Sequence, residues 1–470
     1  MPEVSARDER IYCASMTLPA ETRAIHCARA LLPDGWAKDV RLRIAAGKFA
    51  AVERGAVTQP GDERVLVALP GMSNVHSHGF QRGMAGLTEY RGPEADNFWS
   101  WRELMYRFVA RMTPDDVEAI TTQAYVDMLE GGFTRVGEFH YVHHETDGKP
   151  YADPAEMAAR VAAAAATAGL AITLLPVFYA HGNFGGAPPT PGQRRFVTSL
   201  DQYARLLEAC AAVVARLPGA RLGVAPHSLR AVSPQELQRV VALLPGAPVH
   251  IHAAEQTREV DECVAWSGAR PVQWLLDHAD VNSRWCLVHA THMTDDEISR
   301  LARSGAVAGF CPVTEANLGD GIAPAAPFMR AGGAVGIGTD SNVRISVSEE
   351  LRQLEYSQRL RDRARNVLAA QSAHSTGRTL FATSHRGGER ALGAQAAPVG
   401  FAEGASADCL ALAVDELAAP DDVGLDRFVF ADVGLRHVWC AGRRVVADGR
   451  HFARAAVQAR YRAALGRLLD

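Results

Sequence analysis

Short, continuous runs of hydrophobic residues recur along the middle of the chain, and the longer stretches between them carry apolar residues at a helical spacing. Such continuous runs are typical of strands that are buried on both faces of a parallel sheet. The pattern predicts eight strands, at 66–74, 134–140, 171–178, 221–226, 248–253, 285–289, 306–311 and 334–339. Eight strands that alternate with helices favour a closed (β/α)8 TIM-like barrel, and a doubly wound sheet is the alternative.

Two of the intervening helices begin with a recognisable capping sequence. Thr113 and Ser233 each supply a hydroxyl that accepts a hydrogen bond from the first turn of a helix. Pro114 and Pro234 follow them at the first helical position, where a missing N–H costs nothing. These residues support the predicted alternation of strands and helices.

The two ends of the chain carry short β-like runs separated by turn residues, without the long helical stretches of the middle. We predict that 24–70 and 395–455 pair into one small β-sandwich domain formed from both chain ends. The barrel is then predicted over 71–394, and a C-terminal helix over 456–470.

Composition narrows the class of protein. The net charge of −4 argues against a nucleic-acid-binding surface, and no apolar run is long enough to cross a bilayer. The first twenty residues lack the apolar core of a signal peptide. The eight cysteines include no Cys-x-x-Cys pair, a pattern typical of reduced thiols. We therefore expect a cytoplasmic enzyme that acts on a small molecule, away from membranes and nucleic acids.

Four histidines and one aspartate fall at the C-terminal ends of predicted strands: His76, His78, His252, His289 and Asp340. Each alone is more often a structural residue or a helix cap than a ligand. In a parallel barrel, however, these strand ends meet at one mouth, where barrel enzymes carry their chemistry. The joint pattern therefore predicts a metal site.

Imidazole nitrogens with a carboxylate suit zinc or another borderline divalent ion. Spacing alone does not decide whether His289 is a ligand. Many binuclear barrel hydrolases bridge their ions with a carboxylated lysine, but no lysine follows Lys149, and the predicted strand at 221–226 offers no acid instead. We predict one divalent metal ion, zinc.

Glu255 follows His252 by three residues and is the candidate acid/base. Bound zinc lowers the pKa of its water to about 7, so a nearby carboxylate need only relay protons to a leaving group. The competing interpretation makes Glu255 the acidic first turn of the next helix.

Four segments carry a resemblance to a known family, at 71–86, 98–109, 138–144 and 249–256, and the similarity extends from about residue 24 to the end. They resemble the amidohydrolase superfamily in its single-metal deaminase branch, and within it the formimidoylglutamate deiminases. The resemblance implies hydrolysis of N-formimidoyl-L-glutamate to N-formyl-L-glutamate and ammonia, in histidine degradation, by a homodimer.

The same resemblance implies a role for each site residue. Zinc would be bound by His76, His78, His252 and Asp340. His289 would polarise the substrate or water, Asp340 would also exchange protons, and Glu255 would protonate the departing nitrogen.

The implied substrate is a small dicarboxylate, which requires cationic or hydrogen-bonding partners. Arginine binds a carboxylate through two parallel hydrogen bonds, so Arg102 and Arg230 are candidates. Gln81, Tyr141 and His227 match the family's substrate-contacting positions.

Two other interpretations stay open. A deaminase of the same superfamily acting on a purine, pterin or triazine ring would share the metal and the acid/base, so only the pocket distinguishes it. A non-catalytic barrel scaffold would be expected to lack some of these residues. His143 and His144 are expected to be an exposed loop pair.

Overall fold

The computed structural model describes residues 17–92, 96–372, 374–394, 398–414 and 421–470. Two sheets organise these residues, one from the two chain ends and one from the middle. The strands are β1 (Ala24–Leu32), β2 (Gly35–Ala45), β3 (Lys48–Glu53), β4 (Glu63–Pro70), β5 (Met72–Ser77), β6 (Phe133–His140), β7 (Ala171–Phe178), β8 (Arg221–Leu222), β9 (Ala225–Pro226), β10 (Val249–Ala253), β11 (Trp285–His289), β12 (Val307–Phe310), β13 (Ala334–Ile337), β14 (Cys409–Leu412), β15 (Leu435–Cys440), β16 (Arg443–Ala447) and β17 (Arg450–His451).

The α-helices lie mainly between the barrel strands, and one follows the last strand. They are α1 (Phe98–Val109), α2 (Pro114–Glu130), α3 (Glu156–Ala168), α4 (Leu200–Val214), α5 (Pro234–Ala242), α6 (Thr257–Ser267), α7 (Pro271–His278), α8 (Asp295–Ser304), α9 (Pro312–Leu318), α10 (Ala325–Arg330), α11 (Val347–Asp362), α12 (Thr376–Ala391), α13 (Asp421–Phe430) and α14 (Arg454–Leu469). As predicted, Thr113 and Ser233 cap α2 and α5. None of the helices in the described part of the chain combines the length and apolar character needed to cross a bilayer.

The middle of the chain forms a closed parallel barrel. Its strands follow the order β10-β11-β12-β13-β5-β6-β7-β8, and β9 also pairs with β7. Parallel bridges from Val224 to Val249 and from Ser228 to His252 join the two ends of this order. The predicted barrel is therefore confirmed, and the doubly wound alternative, which would leave the sheet open, is excluded.

Strands from both chain ends form the second sheet, in the order β17-β16-β15-β14-β4-β1-β2-β3. The two ends meet where β4 pairs antiparallel with β14, so the sheet is continuous across them. The sheet encloses its own hydrophobic core, which includes Ile25, Val40 and Trp439. A barrel with a small β domain built from both ends was the predicted fold class; the exact domain boundaries stay a prediction.

Two predicted strands are each divided in the structure. The run at 66–74 is split at Gly71, where a Cβ would lie 2.1 Å from the Thr134 hydroxyl. The first part belongs to the small sheet and the second opens the barrel. The run at 221–226 is split around Gly223, where a Cβ would lie 2.6 Å from Leu175. At both positions a close neighbour leaves room only for glycine.

Candidate metal centre and substrate pocket

Three histidines and one aspartate converge at the C-terminal mouth of the barrel. His76 lies near the end of β5 and His78 directly follows that strand, while His252 lies on β10 and Asp340 follows β13. The Nε2 atom of His76 lies 3.2 Å from that of His78 and 3.1 Å from that of His252. The Oδ1 atom of Asp340 lies 3.2 Å from His78 Nε2 and 3.4 Å from His76 Nε2. All four residues are buried.

The hydrogen bonds behind this cluster fit a cation at its centre. His78 donates from Nδ1 to the Phe139 carbonyl at 2.8 Å, and His252 donates from Nδ1 to the His227 carbonyl at 3.0 Å. Burial lowers the pKa of His252 well below its usual value, so the ring is neutral and its Nε2 presents a lone pair. Lone pairs and a carboxylate facing one another repel unless a positive ion lies between them, so the donor set fits a divalent metal.

Asn342 holds the two halves of this cluster together. Its Nδ2 donates to the carbonyls of His78 and Asp340 at 3.0 and 3.1 Å, and its Oδ1 accepts from the Thr339 hydroxyl at 2.6 Å. Asp340 itself has a backbone φ of 42°, a left-handed conformation that residues other than glycine rarely adopt. Strain of this kind persists where surrounding bonds enforce it, and Asn342 supplies them. The sequence analysis did not identify Asn342.

His289 stands beside the cluster, at a longer range. Its Nε2 lies 3.6 Å from Glu255 Oε1 and 3.8 Å from Asp340 Oδ2, while its Nδ1 lies 3.3 Å from Glu315 Oε1. Burial alone lowers the pKa of His289, but the surrounding carboxylates of Glu255, Glu315 and Asp340 raise it to about 10. A cation in the neighbouring cluster would oppose that rise. These distances place His289 outside the group of four converging residues, a distinction that the sequence spacing did not make.

Glu255 lies just before α6 with its carboxylate buried. Burial raises its pKa to about 7, a value suited to taking up and releasing a proton at neutral pH. The acid in the first turn of α6 is Glu259, which accepts hydrogen bonds from the backbone N–H groups of Ala254 and Glu255 at 3.2 and 3.0 Å. The competing interpretation of Glu255 as that first-turn acid is therefore wrong.

Two further buried acids adjoin the site and were missed. Glu315 on α9 accepts from the Cys311 backbone N–H at 2.8 Å and orients His289. Asp320 follows α9 and accepts a hydrogen bond from Gln256. Glu315 comes five residues after the end of β12, so its place at a strand's C-terminal end was the available signal.

A cavity opens above the cluster. Of the eleven predicted site residues, all but His76 line it, and His76 lies beneath. The lining residues are His78, Gln81, Phe98, Trp101, Arg102, Met105, Tyr106, Tyr141, Tyr179, Phe196, His227, Arg230, His252, Glu255, His289, Leu318 and Asp340.

Two arginines in the cavity wall have guanidinium groups that are not paired with a carboxylate in the described structure. Among the described residues, neither Arg102 nor Arg230 forms a salt bridge, and the Nε of each is buried without a hydrogen-bond partner. Arg230 is 7% exposed, and the Arg102 guanidinium packs 4.5 Å from the centre of the Trp99 ring. Buried N–H donors are normally hydrogen-bonded, so the unpaired Nε atoms of these two arginines indicate that an anionic ligand binds there.

The remaining predicted contacts share the same cavity. Gln81 donates to the Tyr141 hydroxyl at 2.8 Å and keeps its own carbonyl oxygen unpaired in the described structure. His227 lies next to His252, with ring centres 4.9 Å apart. Burial, reinforced by the charge of Arg230, lowers the pKa of His227 well below its usual value, which leaves a neutral ring.

The neighbouring histidine pair differs from its expected position. His143 and His144 are both buried, and each binds a backbone carbonyl at 2.8 Å, of Val177 and Val197 respectively. Their prediction as an exposed pair is wrong, because the backbone N–H groups of both residues donate to the Arg195 carbonyl and hold the loop after β6 against that segment. They fix that loop and do not line the cavity.

Comparison with known proteins identifies the family of the chain. The amidohydrolase family matches residues 67–445, and the N-terminal domain of formimidoylglutamate deiminase HutF matches residues 22–65. Formimidoylglutamate deiminase of Pseudomonas aeruginosa is 52% identical over 460 residues, 95% of this chain and all of that protein.

Solved structures give the same result. An amidohydrolase from Brucella melitensis superposes with a TM-score of 0.93 at 57% identity, covering 95% of this chain and all of that one. A zinc-bound adenosine deaminase from Xanthomonas campestris shares the fold alone, with a TM-score of 0.76 at 23% identity over 95% of this chain and 98% of that one. The chain belongs to the amidohydrolase family, and it is a hydrolase of carbon–nitrogen bonds.

Proposed function

We propose that the protein hydrolyses N-formimidoyl-L-glutamate to N-formyl-L-glutamate and ammonia, with one zinc ion, in histidine degradation. The observation that carries the proposal is one cavity with a cluster of three histidines and an aspartate at its floor and two unpaired guanidiniums in its wall. The relative at 52% identity, which is named for this reaction, supports it. The same proposal includes a homodimer, which rests on the family resemblance, and a cytoplasmic location, which rests on the cysteine pattern.

The two arginines favour a linear dicarboxylate over a ring substrate. A neutral purine, pterin or triazine would leave Arg102 and Arg230 without an anionic partner, although each has a buried Nε with no hydrogen-bond acceptor in the described structure. A substrate with two carboxylates supplies one partner for each, and Gln81 and Tyr141 add neutral hydrogen-bonding groups beside them. The amidine end of such a substrate then extends toward Glu255 and the metal-binding cluster.

The residues of the floor divide the chemical work. His76, His78, His252 and Asp340 would hold the ion. A bound zinc ion supplies a Lewis acid that lowers the pKa of water and polarises the carbon under attack. Glu255 takes the proton released by water and delivers it to the departing nitrogen. The hydroxyl of the resulting tetrahedral adduct gives up a second proton to the same nitrogen, so that the carbon–nitrogen bond breaks, the carbonyl forms and ammonia leaves as a neutral molecule. The protonated ring of His289 donates from Nδ1 to Glu315 and offers a second hydrogen bond from Nε2 to the oxygen that gains charge.

Ammonia release tests the proposed substrate directly. Wild-type protein loaded with zinc is assayed against N-formimidoyl-L-glutamate and against a panel of purines, pterins and triazines. We expect turnover of the formimidoyl compound only. Turnover of a ring compound alone would replace the proposal with the ring-deaminase alternative, and zinc-loaded protein inactive on every compound would support the scaffold interpretation.

Replacing Arg230 by alanine should chiefly weaken substrate binding. Loss of a charge-assisted hydrogen bond of about 1.5–3 kcal/mol corresponds to a KM about 10- to 100-fold higher, with a smaller change in kcat. Arg239→Ala, on the exposed face of α5, is the matched control. Saturation curves for both variants provide the measurement, and a KM equal to that of wild type in Arg230→Ala would remove this residue from the binding site.

A further inference from the structure

A second, smaller cavity adjoins the substrate cavity. We call it the outer cavity. It shares Arg102, Tyr179 and Arg230 with the substrate cavity, so the two guanidiniums form part of the wall between the cavities. The other lining residues are Trp99, Gly182, Asn183, Arg258 and Glu262. The Arg258 side chain is 61% exposed, which places it at the solvent rim.

The outer cavity carries an excess of positive charge. Three guanidiniums and one carboxylate line it. The carboxylate, Glu262, accepts from Arg258 Nε at 2.7 Å and from Asn183 Nδ2 at 3.0 Å. Arg102 and Arg230 have no carboxylate partner among the described residues, and the Nε of buried Arg230 has no hydrogen-bond partner. The residues that line the outer cavity therefore carry more positive than negative charge, and the carboxylates of Glu255 and Glu259, which act on Arg230 from outside this lining, form no salt bridge with it.

Trp99 holds these cations close together. The Arg102 guanidinium lies 4.5 Å from the centre of its ring and that of Arg258 4.4 Å, while Arg230 lies at 5.8 Å. The face of an indole ring is negative and attracts cations. The ring thus offsets the mutual repulsion of groups that would otherwise separate, and it keeps them available to a mobile anion.

We propose that the outer cavity is an anion subsite that binds one carboxylate of the incoming dicarboxylate before it passes to the wall of the substrate cavity. Arg258 makes the first contact at the rim, and Arg102 and Arg230 receive the carboxylate from it. The proposal rests on the proposed function for the identity of the substrate. A cationic entrance raises the local concentration of an anionic substrate and accelerates its association, with a strong dependence on ionic strength.

Arg258→Gln tests the subsite, with Arg239→Gln as the control on the exposed face of α5. At an ionic strength of about 0.01 M, where charges act over about 30 Å, kcat/KM of Arg258→Gln should fall about 5- to 10-fold. At about 1 M, where the range is about 3 Å, the difference from wild type should nearly vanish. Equal kcat/KM for Arg258→Gln and wild type at low ionic strength would overturn the proposal.

Two further comparisons separate recognition of charge from damage to the fold. With the diamide of N-formimidoyl-L-glutamate, in which both carboxylates are neutral amides, Arg258→Gln should lose less than half as much in kcat/KM. Glu262→Gln removes the competing carboxylate and should raise kcat/KM for the dicarboxylate at low ionic strength. An equal loss with both substrates, or a lower kcat/KM in Glu262→Gln, would contradict an anion subsite.

Binding of glutarate distinguishes failure of the subsite from failure of the proposed function. Glutarate has two carboxylates and no amidine, so its calorimetric titration into the zinc-loaded protein requires no turnover. Weaker binding by Arg258→Gln than by wild type supports the subsite even if formimidoylglutamate is not hydrolysed. Equal glutarate affinity in both proteins overturns the subsite. The proposed function is then decided separately, by release of ammonia from formimidoylglutamate.

Discussion

Glu255→Gln should lower kcat by about 100- to 10,000-fold while the protein keeps its metal. The amide cannot accept the proton that water must lose, nor deliver one to the departing nitrogen. The four converging residues do not include Glu255, so metal content should equal that of wild type. The variant is nearly isosteric, and the hydrogen bonds that hold this loop run from backbone N–H groups to Glu259.

Ammonia release and metal analysis on the same preparation provide the measurement. Glu208→Gln, an exposed change on α4, is the control and should match wild type. Turnover by Glu255→Gln within about threefold of wild type would exclude Glu255 as the acid/base, because such a role contributes at least 100-fold. Loss of metal would instead place Glu255 in the metal-binding set.

His252→Ala should abolish both metal binding and turnover. Removing groups that merely support a ligand costs about 10- to 100-fold in metal affinity, so removing the ligand itself should cost more. We expect less than about one tenth of the wild-type metal content after dialysis, and no detectable ammonia release. Asp340→Asn should show the same direction, because it replaces a charged ligand by a neutral amide.

His250 provides a matched control for His252 on the same strand. The two side chains lie two residues apart, but His250 binds the Ala391 carbonyl at 2.8 Å at the end of α12, away from the cavity. His250→Asn should therefore keep its metal and its kcat, with a loss of thermal stability only. Full metal content in His252→Ala, or metal loss in His250→Asn, would contradict the assigned ligands.

The barrel could be predicted because its strands are buried on both faces. A continuous apolar run such as Trp285–His289 cannot be placed at an exposed edge, so its length and position were visible in the sequence. The sequence did not indicate that the predicted strand at 66–74 is divided into β4 and β5. Apolar residues continue through Gly71, and the two sheets separate there because Thr134 and Asp408, both distant in the sequence, approach this position closely.

Much of the candidate site could also be predicted, since parallel strands bring their C-terminal ends to one mouth. His76, His252 and Asp340 were found in this way. Asn342, Glu315 and Asp320 were not, because they belong to loops and short helices whose side-chain partners are distant in the sequence. The burial of His143 and His144 depends likewise on the backbone carbonyls of other segments.

The sequence also could not show that Arg102 and Arg230 lack a carboxylate partner. Composition shows many arginines, most of which are expected to be solvated, and nothing local marks Arg102 or Arg230 as lacking an anion. Only the three-dimensional arrangement shows that Trp99 gathers Arg102 and Arg258 within 4.5 Å of its ring centre. The structure therefore adds support for the proposed dicarboxylate substrate that the sequence alone did not supply.

Anomalous diffraction at the zinc edge from crystals of the zinc-loaded protein tests the central claim most directly. We predict one peak, about 2.0–2.2 Å from the Nε2 atoms of His76, His78 and His252 and from a carboxylate oxygen of Asp340. His289 should lie outside that range. Two peaks, or a single peak bound by other residues, would contradict a mononuclear centre built from these four side chains.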